Sequence, residues 1–192
     1  MKIDGNFSDW KPVVTEYRDT RGDTFHRNYP GYGGLQYTNN SGRNDILNCK
    51  VAVDSKNVNF YVETDQPITS HTGENWMYLL IDADQNPETG WYGYDYLINK
   101  KVVDDKITML MKYDPAAKQN PWVEKAKLPY NYKGKELELA IPRKLIGLDG
   151  KSFTCDFKWC DNPSDLNNPI SLCLNGDTAP NRRFNFRCHW IN

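Results

Sequence analysis

Apolar and polar residues alternate with a period of two over much of the chain, and clusters of turn-forming residues interrupt the alternation. Leu47, Cys49, Val51 and Val53 alternate with Asn48, Lys50 and Ala52. The turn Asp54-Ser55-Lys56-Asn57 follows, and Val58, Phe60 and Val62 then alternate with Asn59, Tyr61 and Glu63. Two such runs across a short turn predict a β-hairpin. Residues 77–83 are apolar on both faces and predict a central strand. Further strands are predicted at 94–99, 107–113, 135–141, 152–160, 170–174 and 183–190. One short helix is predicted near 142–148, where Pro142 stands at a permitted first-turn position and Gly147 near the end. Residues 18–44, rich in Gly, Asn, Tyr and Arg, read as a long ordered loop. Eight or more short strands with almost no helix predict an all-β fold, a two-sheet antiparallel β-sandwich of immunoglobulin or jelly-roll type.

Composition narrows the class. The 192 residues fit a single domain spanning 1–192. A formal net charge of -1 leaves no basic excess for nucleic acid, and no apolar stretch approaches the ~20 residues of a membrane span. Aromatics reach 13%, so rings are expected to carry much of the burial. The chain opens Met1-Lys2-Ile3-Asp4-Gly5 without an apolar signal segment, which fits a cytosolic protein or a module cut from a longer secreted one. Five cysteines, with no C-x-x-C spacing, are expected mainly as buried thiols, with disulfides left open.

The most informative chemistry lies where the central strand ends. Leu79-Leu80-Ile81 runs into Asp82-Ala83-Asp84-Gln85-Asn86 and closes on Gly90. Oxygen donors at alternate positions of a tight loop suit a hard cation, so Asp82, Asp84 and Asn86 are the candidate ligands of a structural Ca²⁺, completed by Glu88, Asp95 or carbonyls. Pro87 and Gly93 break the EF-hand pattern, and an Asx-rich turn without metal is the plain alternative. Trp76, Trp91, Tyr92 and Trp122 are candidate sugar platforms, since rings stack on the C–H faces of pyranoses while polar neighbours fix the hydroxyls. Trp91 and Trp122 are expected to be exposed, Trp159 to lie in the core, and Trp10 to plug one end of the fold. Arg43, Asn44 and Asp45 are candidate polar contacts, with an internal salt-bridge network that pins the long loop as the alternative. The segment from Arg21 to Arg27 offers similar groups. No nucleophile elbow, HExxH helix, P-loop or dinucleotide fingerprint occurs.

Several segments together carry a resemblance. Ile3-Asp4-Gly5 with Asp9-Trp10, the Leu80-Ile81-Asp82-Ala83-Asp84 centre with Thr89-Gly90 and Gly93-Tyr94-Asp95-Tyr96, and Leu137-Glu138-Leu139-Ala140-Ile141-Pro142 with Leu145-Ile146-Gly147-Leu148 resemble the family 9 carbohydrate-binding modules and the wider DOMON-like sandwiches. Gly42-Arg43-Asn44-Asp45-Ile46 and Asn75-Trp76-Met77 resemble a bacterial subgroup appended to secreted glycan-degrading proteins. The resemblance implies a non-catalytic module that binds carbohydrate beside a catalytic domain of the same parent chain, in a secreted, periplasmic or cell-surface protein, with calcium as a structural ion. Sugar-binding members clamp their ligand between two tryptophans. Here Trp76 stands near the first position, and residues 172–187 hold no Trp. A calcium-stapled structural module is the alternative, and a small glycosidase, which would need a deep cleft with two carboxylates, is the third expectation.

Overall fold

The computed structural model describes residues 1–24 and 27–192. All its strand pairs are antiparallel, and eleven of its strands join in one sheet. These are β1 (Tyr17–Arg18), β4 (Ile46–Val53), β5 (Asn57–Thr64), β6 (Tyr78–Asp82), β7 (Tyr96–Val102), β8 (Ile107–Tyr113), β9 (Trp122–Lys133), β10 (Glu136–Pro142), β11 (Ser152–Asp161), β12 (Asp177–Ala179) and β13 (Phe186–Ile191). The strands β2 (Arg27–Pro30) and β3 (Gln36–Asn39) form a separate hairpin. The main order is β1-β4-β5-β10-β9-β8-β7-β6-β11-β12. β13 shares one edge of β11 with β12, pairing with Ser152–Phe157 while β12 pairs with Trp159–Asp161.

The expected pair of separate sheets is thus a single continuous one, and β9 is the reason. Its residues Trp122 to Pro129 pair with β8, and Tyr130 to Lys133 pair with β10. The handover falls at Pro129, which has no N–H to give to a ladder. One twelve-residue strand therefore belongs to both halves, and the sheet curls until its ends nearly meet. Across that seam the Tyr17 hydroxyl donates to the Arg187 carbonyl at 3.1 Å, and the Ile46 N–H donates to Asp177 Oδ2 at 2.7 Å. The core fills the barrel: Phe60 of β5 meets Phe157 of β11 at 5.5 Å between ring centres, with Trp76, Trp159, Leu79, Ile81, Leu137 and Leu139 around them.

The short helix expected near 142–148 is a single 3-10 turn, Arg143–Leu145. Two other expectations about elements change. Residues 170–174, expected as a strand, contain the α-helix α1 (Ser171–Leu174). The supposed loop 18–44 carries β2 and β3. The hairpin Leu47 to Val62 and the strands near 77–83, 94–99, 107–113, 135–141, 152–160 and 183–190 are present, some with shifted ends. No helix among the described residues is long and apolar enough to cross a membrane. The five cysteines are unpaired, and only Cys173 is not fully buried.

Candidate functional site

A second apolar cluster covers the outer face of β6, β7 and β8. Tyr78, Leu80, Trp91, Tyr94, Leu97, Met109, Met111, Trp122, Cys160 and Leu172 form it. The β6–β7 loop and α1 close over that face, and beside them opens a cleft of about 790 Å³. Its rings are Tyr32 and Tyr37 from the β2–β3 hairpin and Tyr92 and Tyr94 from the β6–β7 loop. Tyr32 is 79% exposed and Tyr92 64%, so both present bare ring surface. Pro169, Ile170, Leu172 and Cys173 supply the apolar wall, and Lys158, Arg182, Arg183 and Asn185 supply the polar one. No Asp, Glu or His belongs to the lining among the described residues.

Tyr92 reaches solvent because its loop turns tightly. Trp91 and Tyr94 bridge each other through two backbone hydrogen bonds of 2.8 and 3.1 Å. Gly90 makes this possible: at φ +64 its backbone lies so close to Tyr94 that a Cβ would meet the carbonyl oxygen at 2.3 Å. On the opposite wall the segment 180–183 is tied down by buried groups. Lys158 Nζ donates to the carbonyls of Pro180 and, at 3.0 Å, of Arg182. Asn181 Nδ2 donates to Asp19 Oδ1 at 2.9 Å and to Asp23 Oδ2. Burial pulls the Lys158 ammonium down to about 8, and nearby Cys173, Cys160, Asp19 and Asp177 act against that pull.

Of the residues singled out as ligand contacts, only Tyr92 lies in this cleft. Trp76 is 1% exposed and donates its Nε1–H to the Thr69 carbonyl at 2.8 Å, so it is core and not a platform. Trp91 and Trp122, expected at the surface, are buried against each other at 6.1 Å, and Trp122 opens β9. Arg43 forks onto Asp161, with Nε at 2.7 Å and Nη2 at 3.2 Å, and Nη2 also reaches the carbonyls of Glu74 and Asn75. Asn44 exchanges hydrogen bonds with Thr69. Asp45 Oδ2 accepts from Gly22 N–H at 2.7 Å. These three residues pin the long loop and the 69–76 segment to the barrel. Trp159 is in the core as expected. Trp10 is buried, but on the outer face of β5 and β10, over Tyr61. Within the segment from Arg21 to Arg27, Phe25 and His26 lie outside the described residues.

Two groups of carboxylates bring their oxygens within 4.8 Å of one another: Asp82, Asp84 and Asp95, and Asp19, Asp23 and Asp177. Ligands on opposite sides of a Ca²⁺ at about 2.4 Å stand about that far apart, so either group could hold a metal ion. In the first, Asp82 Oδ1 accepts from Gln85 N–H at 2.6 Å and Asp95 Oδ2 from Ala83 N–H at 2.9 Å. Burial, with Asp95, Asp84 and Asp156 nearby, pushes Asp82 up to about 6. Asn86 turns its amide oxygen to Glu88 N–H at 3.1 Å, while Thr89 Oγ1 donates to Asp84. Asp95, expected as one of the completing ligands, lies beside Asp82 and Asp84.

Spacing did not reveal the second group, because about 150 residues separate Asp19 and Asp23 from Asp177. Asp19 and Asp23 follow β1, and Asp177 begins β12. Burial drives Asp177 well above the carboxylate range and Asp19 up to about 7. Asp19 Oδ2 and Asp23 Oδ1 are shut off from water without a hydrogen-bond donor. A buried acceptor with no donor is costly, and a cation would satisfy it.

Comparison of the chain with protein-family models, with curated proteins and with solved structures returns no match.

Proposed function

We propose that the chain is a non-catalytic carbohydrate-binding module, that the tyrosine-lined cleft is its binding site, and that calcium ions at the two carboxylate groups act as structural staples. The observation that carries this reading is the pair of bare rings, Tyr32 and Tyr92, set on separate loops around one concave space with Arg and Asn donors between them. Apolar faces with a few convergent polar groups are the usual make-up of a small-molecule site. Ring faces take the C–H side of a pyranose, and Asn185 and the two arginines face its hydroxyls. The lack of any carboxylate in the described lining supports binding over glycoside hydrolysis, which works with a pair of acids flanking the bond. The sequence resemblance to family 9 modules supports the same class. Members of that family clamp their ligand between tryptophans, whereas the rings around this cleft are tyrosines, with Tyr92 among the residues singled out from sequence.

Calorimetric titration of the intact chain against a panel of soluble oligosaccharides, with calcium present, tests the proposal. Binding to at least one of them is expected, weakened by about 2 kcal/mol, or about thirtyfold in Kd, in Tyr92→Ala. Heats of zero across the panel, or full binding by Tyr92→Ala and Tyr32→Ala, would refute it.

A further inference from the structure

We infer, taking the cleft to be a glycan site as proposed above, that its ligand is an anionic glycan whose carboxylate or sulfate groups are held by Arg182 and Arg183. The arginines of this chain make the case. There are eight, at 18, 21, 27, 43, 143, 182, 183 and 187. Six are spoken for inside the molecule. Arg18 pairs with Glu16, Arg21 with Asp65, Arg43 with Asp161 and Arg187 with Asp156. Arg27 and Arg143 donate to backbone carbonyls. Only the guanidinium groups of Arg182 and Arg183 have no ion pair or hydrogen bond among the described residues, and both side chains line the cleft.

Their surroundings are arranged for an anion. The lining holds two exposed cationic side chains, Arg182 and Arg183, with buried Lys158 behind them, and no carboxylate among its described residues, although the chain as a whole carries a net charge of -1. The local excess is therefore a property of the cleft and not of the surface at large. The backbone under the arginines is fixed before any ligand arrives. Lys158 and Cys173 Sγ both donate to the Arg182 carbonyl, at 3.0 and 3.2 Å, and the preceding Asn181 is anchored to Asp19. Arg182 itself sits at φ 63, a conformation this anchoring maintains. Asn185 Oδ1 accepts from the Tyr94 hydroxyl at 2.6 Å, which leaves its amide N–H groups for an acceptor in the cleft. A planar guanidinium matches a carboxylate or sulfate with two parallel hydrogen bonds, and the held Arg182 backbone leaves side-chain freedom as the main entropy lost there on binding. A neutral sugar would leave both forks without a charged partner.

The experiment compares length-matched oligosaccharides on the intact chain by calorimetry: a neutral galactan, an oligogalacturonate and a sulfated galactan, with inorganic sulfate as the bare anion. At least one acidic oligosaccharide is expected to bind about tenfold or more tighter than the neutral one at low salt, with the advantage shrinking as salt rises. The double variant Arg182→Gln/Arg183→Gln is expected to bring the acidic-to-neutral ratio close to one with an unchanged melting temperature, since both side chains are exposed. Equal affinity for neutral and acidic sugars would overturn this inference and leave the glycan site standing. Inorganic sulfate binding as tightly as the acidic sugars would overturn the assignment to a glycan. Failure of every oligosaccharide to bind would overturn the glycan site itself.

Discussion

Glu138 is the polar residue that draws the N-terminal segment onto the barrel. Its Oε2 accepts from Trp10 Nε1–H at 2.8 Å, and its Oε1 from the N–H groups of Asp4 and Gly5 at 3.0 and 2.8 Å. Trp10 covers Tyr61 with ring centres 5.2 Å apart, so one carboxylate fixes an aromatic lid on the outer face of β5 and β10. Burial raises the Glu138 carboxyl above its ordinary 4.5 in spite of the three donors. Between 4.5 and the raised value the folded chain keeps a proton that the unfolded chain has released. The contribution of Glu138 to stability is therefore fully present below pH 4.5 and is lost as pH rises through the folded value. Urea unfolding at a series of pH values is expected to show a downward slope in the native chain, to which Asp19, Asp82 and Asp177 also contribute, and a shallower one in Glu138→Gln. Identical pH dependence in the two proteins would show that Glu138 does not titrate in that window.

At the scale of elements, what could be read from sequence tracks how regular the pattern is. The β4–β5 hairpin was legible because Cys49, Val51, Phe60 and Val62 alternate cleanly with polar neighbours. β9 was not, since Val123-Glu124-Lys125-Ala126-Lys127-Leu128-Pro129 is largely charged and exposed and ends in a residue that argues against a strand. Ile170-Ser171-Leu172-Cys173-Leu174 is a short apolar run, for which period alone does not separate strand from helix. The cleft was less legible still. Tyr92 could be found because the loop after β6 stood out, and Arg182 and Arg183 because the segment 175–183 is polar and punctuated by Gly and Pro, but nothing in the sequence brings these two segments and Tyr32 together. The tryptophans misled because large rings beside polar residues resemble platforms, whereas this lean core uses them as filling. The β6–β7 loop also makes a prediction. Gly90→Ala forces a Cβ against the Tyr94 carbonyl at a positive φ, and it should lower stability by about 1–3 kcal/mol and weaken oligosaccharide binding through Tyr92. An unchanged urea midpoint would show that the turn accepts a side chain.

For the whole molecule, the curled sheet has a seam, and the Asp19, Asp23 and Asp177 group lies across it. Asp177 Oδ2 receives the Ile46 N–H from β4, while Asp19 and Asp23 approach from the chain after β1. A cation there would hold both sides of the seam together. Thermal unfolding is expected to shift upward on adding calcium to chelator-treated protein, with free calcium at 100 times Kd contributing about 2.7 kcal/mol per site. Asp177→Asn should remove the part of the shift due to the seam, and Asp84→Asn the part due to the β6–β7 loop. An identical melting curve in calcium and in chelator would argue against both ions.

The near-closure has one more effect. An open sheet of eleven strands would end in two long rows of unsatisfied backbone groups, to which another chain can add a strand. Here one end is the two-residue β1 and the other is the three-residue β12 with the six-residue β13 beside it, and the two ends lie against each other. With a net charge of -1, mutual repulsion does little to keep copies apart. In a protein whose regular structure is mostly strand, protection against amyloid-like stacking therefore falls to shape: a nearly complete hoop leaves few footholds.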